Sequence, residues 1–225
     1  MRRDAGATSA MSRKAVVAAL LDRAGCTYAE EAGIRLADRP QPLYQLLVLA
    51  TLLSARISAD IAVAAARELF RAGYRSPKAM RAASWQDRVD ALGRGHYRRY
   101  DERTATMLGN GAELLGQRWA GDLRKLHGEA DGDQQRAAKL LTAFPGIGPA
   151  GADIFLREVQ GVWPDLAPHL DKRVLAGASL VGLPAQVKAL ASLADDNDSR
   201  PRLAAALVRV SLDKNLADEI KNAGG

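Results

Sequence analysis

The chain has 225 residues, 48% of them hydrophobic, with a net charge of +6 and a pI near 9.7. That is enough chain and apolar content for one domain or two lobes sharing a core, and the charge suits an anionic partner without specifying one. The longest apolar run, Leu46 to Leu53 with Thr51 inside it, is too short to cross a bilayer, and the basic N-terminus is not followed by the apolar stretch of a signal peptide. The single cysteine, Cys26, allows neither an internal disulfide nor a four-cysteine iron–sulfur cluster, so we expect a reducing compartment, the cytoplasm.

In chain order, residues 1 to about 12 read as loose. Lys14 to Arg23 reads as an amphipathic helix and Ala29 to Arg35 as a further short one. Pro40 and Pro42 punctuate the chain before a long helix from about Leu43 to Ser54, apolar all round and therefore read as buried at the centre of a helical lobe. Ser58 is a good N-cap for a helix from Ala59 to Arg71, Ser76 for one to Ala83, and Ser84 for one to Leu92.

Gly93 to Tyr100 (G-R-G-H-Y-R-R-Y) is a loop between helices. Arginines interleaved with aromatics suit nucleic acid, and the other reading is a solvated basic loop with its tyrosines packed inward. His96 has no cysteine or second histidine nearby and is not read as a metal ligand. Asp101 can cap a helix to about Gln117, and Asp122 to Leu126 one helical turn or two.

Asp133 to Thr142 and Ala150 to Gln160 are helical patterns flanking F-P-G-I-G-P-A-G-A, residues 144 to 152. Beyond them, Trp163-Pro164 and Pro168 keep the chain out of helix, and Asp171 stands ahead of a helix from Leu175 to Val181. Ala185 to Leu193 and Leu203 to Leu212 complete the pattern, either side of a polar loop. The expectation is an all-α protein of about ten helices with no sheet and no internal repeat.

The 144–152 stretch organises the rest. Gly146 and Gly148 permit a tight reversal, and Pro149 fits the first position of a helix. The first N–H groups of that helix, near Ala150 and Gly151, then point outward with the helix dipole behind them, which suits phosphate. Small residues at Gly146, Gly148 and Gly151 would let a nucleic-acid backbone come close. An ordinary corner that binds nothing is the other reading of the glycines alone.

F-P-G-I-G-P-A-G-A-D resembles the hairpin of the helix-hairpin-helix DNA glycosylases, the superfamily of endonuclease III, adenine glycosylase and 3-methyladenine glycosylase II. Pro42 to Ser58 (P-L-Y-Q-L-L-V-L-A-T-L-L-S-A-R-I-S) resembles the early helix of the endonuclease III branch. Ser76 to Met80 and Tyr100-Asp101-Glu102-Arg103 fall in the family's order and spacing. The similarity runs from about Gln41 to Gly182, most of the chain.

The resemblance implies two helical lobes with a DNA-binding cleft between them: residues 38–160, ending in the hairpin, and residues 1–37 with 161–225. It implies DNA contacts from the hairpin residues Gly146, Ile147, Gly148, Ala150 and Gly151. Arg56 stands where the family carries a residue, commonly glutamine, that reaches into the duplex beside a flipped nucleotide. One of His96, Tyr97, Arg98 and Arg99 would be the wedge beside the extruded base, and Lys172 and Arg173 would meet phosphates. Trp163 or Tyr97 could stack on a base or belong to the core.

The essential aspartate of the family matches Asp171, once a short insertion around Val162 to Ala167 is allowed; without it the spacing lands on Pro168. Asp165 and His169 are weaker alternatives. Breaking an N-glycosidic bond builds positive charge on the sugar, and a fixed carboxylate stabilises it. As a plain N-cap, Asp171 would also be in an ordinary aspartate position. Bifunctional members carry a lysine nucleophile in the second hairpin helix, and here that position is Ala150, with no lysine between Lys139 and Lys172.

The expectation is a monofunctional DNA glycosylase of base excision repair, acting as a monomer on double-stranded DNA with a damaged or mismatched base. It would need no cofactor, metal or membrane, and would sit in the cytoplasm with the nucleoid. The alternative is a non-catalytic protein on the same fold that grips or senses distorted DNA. Oxidised pyrimidine, alkylated purine and mismatched base all stay open as targets.

Overall fold

A computed structural model describes residues 4–194 and 196–224, with side chains for 13–194 and 196–223. The helices are α1 Asp4–Ala24, α2 Tyr28–Glu31, α3 Pro40–Leu53, α4 Ala59–Arg71, α5 Pro77–Ala82, α6 Trp85–Arg94 and α7 Asp101–Trp119. They continue with α8 Leu123–Ala130, α9 Gln134–Leu141, α10 Pro149–Val159, α11 Lys172–Leu180, α12 Val187–Ala191, α13 Ser199–Leu212 and α14 Lys214–Gly224. A single 3-10 turn, Pro164–Leu166, interrupts them, and there is no strand among the described residues. The protein is all-α, as its residue pattern implied.

Most helix starts are set by local chemistry. Ser58, Ser76 and Ser84 accept from the N–H groups of Ile61, Ala79 and Asp87. Asp87 returns the favour to Ser84, closing a capping box. Asp122, Asp133 and Asp171 cap α8, α9 and α11 in the same manner. Asp101 departs from expectation: it is the first residue of α7, behind Tyr100, and accepts only the neighbouring N–H of Glu102 at 2.9 Å.

Two terminal helices also differ from the reading of the sequence. Helix α1 reaches back to Asp4 instead of starting at Lys14; of the stretch expected to be loose, residues 1–3 lie outside the described residues. Helix α14 was not anticipated. Asp213 ends α13 and accepts from Asn215 and Leu216, and Ala217 and Ile220 are then buried.

The chain divides into two compact units, residues 28–166 and residues 1–27 with 167–225. In the first, α3 is the central element, buried along nearly its whole length from Leu43 to Leu52. Helices α4, α7, α8 and α10 pack against it. Its all-round apolarity is thus accounted for by neighbours on every side.

Two buried charges tie this unit together. The Arg88 guanidinium donates to the carbonyls of Ala105 (2.9 Å), Met80 (3.0 Å) and Ala83 (2.7 Å), joining α5, α6 and α7. Glu158 on α10 accepts the N–H groups of Tyr28 (3.1 Å) and Ala29 (2.9 Å), so the start of α2 is capped from far along the chain. Such charges are tolerated inside because their hydrogen-bonding capacity is met.

The hairpin between α9 and α10 is seated on the C-terminal end of α3. A Cβ built on Gly151 would lie 2.3 Å from Ser54 Oγ, and one on Gly146 would lie 2.9 Å from Met107 Sδ and 3.2 Å from Thr51 Cγ2. Gly146 also has φ +86°, a conformation that side chains disfavour.

The second unit is built from α1, α11, α12, α13 and α14. Its tightest contact is between α11 and α13, where a Cβ on Gly177 would fall 1.9 Å from the Leu207 carbonyl oxygen. Arg209 of α13 donates to the Cys26 carbonyl at 3.0 Å and holds the chain just beyond α1.

Three glycine substitutions test this packing. Gly177→Ala should lower stability by about 2–4 kcal/mol in urea unfolding, because the obstacle is backbone and the helices must part. Gly128→Ala, inside α8 with open space around it, should raise stability by about 0.5–1 kcal/mol. Gly151→Ala should cost about 1–3 kcal/mol, and adding Ser54→Ala should return most of it, a coupling that a double-mutant cycle reads directly.

Candidate nucleic-acid interface

The hairpin is built from its own residues outward. Helix α9 ends at Leu141, and the Phe144 and Ile147 N–H groups bond to the Leu141 and Phe144 carbonyls at 3.1 and 3.0 Å. Gly148 is the N-cap of α10, extended at φ −92° and ψ −171°, and has no side chain to accept the helix's first N–H groups. The first bond of α10 that reaches back to the cap is Ala152 N–H to Gly148 carbonyl, 3.0 Å. Among the described residues the N–H groups of Gly148, Ala150 and Gly151 find no acceptor.

Gly148, Pro149 and Ala150 are exposed. The surface of the hairpin is therefore a short run of small residues carrying unsatisfied donors at the positive end of an eleven-residue helix. Ile147 and Gly151 are buried, so what each packs against is protein: Ile147 in the main core, Gly151 against Ser54. The lack of a side chain at Gly151 is thus required by the fold itself.

That contact also places Arg56. Ser54 caps the end of α3, and Arg56 follows two residues on, in the turn closed by Ile57 N–H to Ala55 carbonyl at 2.9 Å. Arg56 is exposed. Because Ser54 abuts Gly151 and Thr51 abuts Gly146, the turn carrying Arg56 is brought beside the hairpin.

Helix α6 runs on to Arg94, so Gly93 and Arg94 of the expected 93–100 loop are its last residues and the chain leaves the helix at Gly95. His96, Arg98 and Arg99 are exposed, and the Arg99 guanidinium lies 5.3 Å from the centre of the Tyr100 ring. Tyr97 corrects the expectation that it could face a partner: it is fully buried, its hydroxyl 3.4 Å from Thr104 Oγ1, and burial pushes its pKa up. An inward Tyr97 anchors the loop and leaves the surface to its neighbours.

In the other unit, Asp171 is the N-cap of α11. Its Oδ1 accepts from Arg173 N–H at 2.7 Å and Val174 N–H at 3.1 Å, and the residue is half-buried. Lys172 and Arg173 are exposed in the first turn of that helix. Asp165 lies instead in the 28–166 unit, both carboxylate oxygens meeting His127 Nε2 at 3.0 and 2.8 Å.

Trp163, open to either role in the sequence, is core. It is buried, stacks on the His127 ring (centroids 4.3 Å apart, 7° between planes) and donates its indole N–H to Asp38 at 3.0 Å. The sequence also held no sign of Tyr44 in this region. Tyr44 lines a cleft with Thr51, Met107, Phe144 and Pro145, and its hydroxyl is buried with no partner among the described residues. Burial drives its pKa upward.

No protein-family model matches the chain, and no curated protein matches it. Among solved structures, the chain is similar to endonuclease III trapped as a covalent intermediate with DNA in an estranged-adenine complex. The TM-score is 0.45 with 18% identity, over 72% of this chain and 70% of that one.

Proposed function

We propose that the protein is a monofunctional DNA glycosylase of base excision repair, hydrolysing the N-glycosidic bond of a damaged or mismatched base turned out of the duplex. The observation that carries the reading is the hairpin: unsatisfied N–H groups of Gly148 and Ala150 at a helix start, flanked by exposed Arg56. Donors of this kind hold a phosphate through backbone and dipole, independent of base sequence. Arg56, His96, Arg98, Arg99, Lys172 and Arg173 supply further cationic or polar contacts to the DNA.

The chemistry is assigned to Asp171. As the bond between C1′ and the base nitrogen breaks, its electrons leave with the base and positive charge builds on the sugar. The Asp171 carboxylate stabilises that charge. Water adds to C1′, its proton is taken up by the carboxylate or the departing base, and an abasic site remains. With Ala150 in place of a lysine, no amine at the hairpin can form a Schiff base, so the strand stays intact. The reading requires no cofactor, and places a monomer in the cytoplasm on nucleoid DNA.

One observation favours the second reading, a DNA-binding protein without hydrolysis: Asp171 Oδ1 already accepts two N–H groups as a helix cap. The Asp171→Asn variant separates the two, because asparagine caps a helix as well as aspartate does while carrying no charge. Wild type and Asp171→Asn are incubated with duplexes bearing a panel of damaged and mismatched bases, and strand breaks are read before and after alkali. We expect breaks from wild type only, and only after alkali. Asp171→Asn should melt at nearly the wild-type temperature and lose about 100-fold or more in rate. Breaks without alkali would overturn the lysine argument. Binding by both proteins with no breaks on any duplex would favour the non-catalytic reading.

A further inference from the structure

The 93–100 loop contains a residue whose conformation its own stability does not explain. Helix α6 ends in a Schellman arrangement: Tyr97 N–H bonds to the Leu92 carbonyl at 3.1 Å and His96 N–H to the Gly93 carbonyl at 3.0 Å. The position in the left-handed region is usually glycine. Here it is His96, at φ +62°. The glycine stands one residue earlier, at Gly95, where a Cβ would lie 2.4 Å from Ala65 Cα of α4.

Two neighbours therefore hold His96 from either side. Gly95 is pressed against the α4 backbone, and Tyr97 is fully buried. Between them His96 is exposed. Among the described residues, the other non-glycine residues with positive φ are Ala120 and Asp131, which end α7 and α8 and carry a methyl group and an acid. His96 alone of the three presents a side chain that can donate a hydrogen bond to a phosphate.

The surroundings suit an anionic partner. Arg98 and Arg99, beyond the buried Tyr97, are exposed. On α4 the carboxylate of Glu68 is engaged by Arg94 and Arg71, and the helix also bears Asp60 and Arg67. At the start of α7, Asp101 accepts the Glu102 N–H, and Arg103 follows.

We propose that His96 is a pH-dependent phosphate contact: its protonated imidazole, held outward by Gly95 and Tyr97, bonds to the DNA backbone. This rests on the DNA-binding reading above. A phosphate beside the imidazole raises its proton affinity in the complex, so binding takes up a proton. The contact is therefore stronger in acid than in alkali.

The test uses the full chain and a plain duplex, with binding measured against salt concentration at pH 5.5 and pH 8.0, for wild type, His96→Gln and His96→Gly. A phosphate neutralised by a cation contributes about 0.9 to the slope of log K against log salt. The wild-type slope at pH 5.5 should exceed that of His96→Gln by about that amount, with about fivefold tighter binding at moderate salt, and the two should coincide at pH 8.0. His127 and His169 are present in both proteins, so the difference belongs to His96. His96→Gly should melt about 1–3 °C higher than wild type while binding as His96→Gln does. Equal slopes for wild type and His96→Gln at both pH values would overturn this inference and leave DNA binding standing. Absence of wild-type binding at either pH would remove the DNA-binding reading and this inference with it.

Discussion

The contact between the hairpin and the end of α3 is the constraint on which the candidate interface depends. Helix α10 can start where it does only because Gly151 lets its first turn rest on Ser54, and the preceding turn can close only because Gly146 leaves room for Met107 and Thr51. Glycine at these positions is a packing requirement before it is anything else. Its consequence is exposure of Gly148, Pro149 and Ala150, whose backbone then offers donors with no side chain in front of them. A binding surface made from backbone is rigid to the degree that the helix behind it is rigid, and α10 is held by its burial against α3 and α9.

The same contact links sequence-distant residues. Arg56 belongs to a turn nearly a hundred residues before the hairpin, yet Ser54 puts the two side by side. The burial of α3 makes this robust. With Leu43 through Leu52 enclosed by four other helices, the position of its last residue is not free to drift. Arg88 reinforces the far side of the unit, where its three carbonyl partners fix α5 and α7 around α6 and so fix where the 93–100 loop begins.

The loop then shows how packing decides what a surface displays. Arginines and tyrosines alternate in it, and composition alone suggests that either type could face a partner. Packing sends Tyr97 into the core and leaves His96, Arg98 and Arg99 outside. The polarity of the loop is therefore sharper than its sequence implies. In the other unit Asp171 is fixed by its own helix, Oδ1 accepting the N–H groups of Arg173 and Val174.

What the residues alone determined is local. The caps at Ser58, Ser76, Ser84 and Asp171 were legible because a cap and the N–H groups it accepts lie within three residues of each other. The all-α class followed from helical periodicity, and the hairpin from glycines and a proline at fixed offsets. Tertiary structure decided the rest. Asp101 looked like a cap but sits one residue too late, because the turn from Tyr97 to Tyr100 sets where α7 begins. Helix α14 carries Leu216, Ala217 and Ile220 at helical spacing, a stripe too short to stand out in the sequence until it packs against α1 and α13. The inward turn of Tyr97 and the exposed, left-handed His96 depend on α4 lying against Gly95. No pattern within the loop encodes that backbone, which comes from residues thirty positions earlier in the chain.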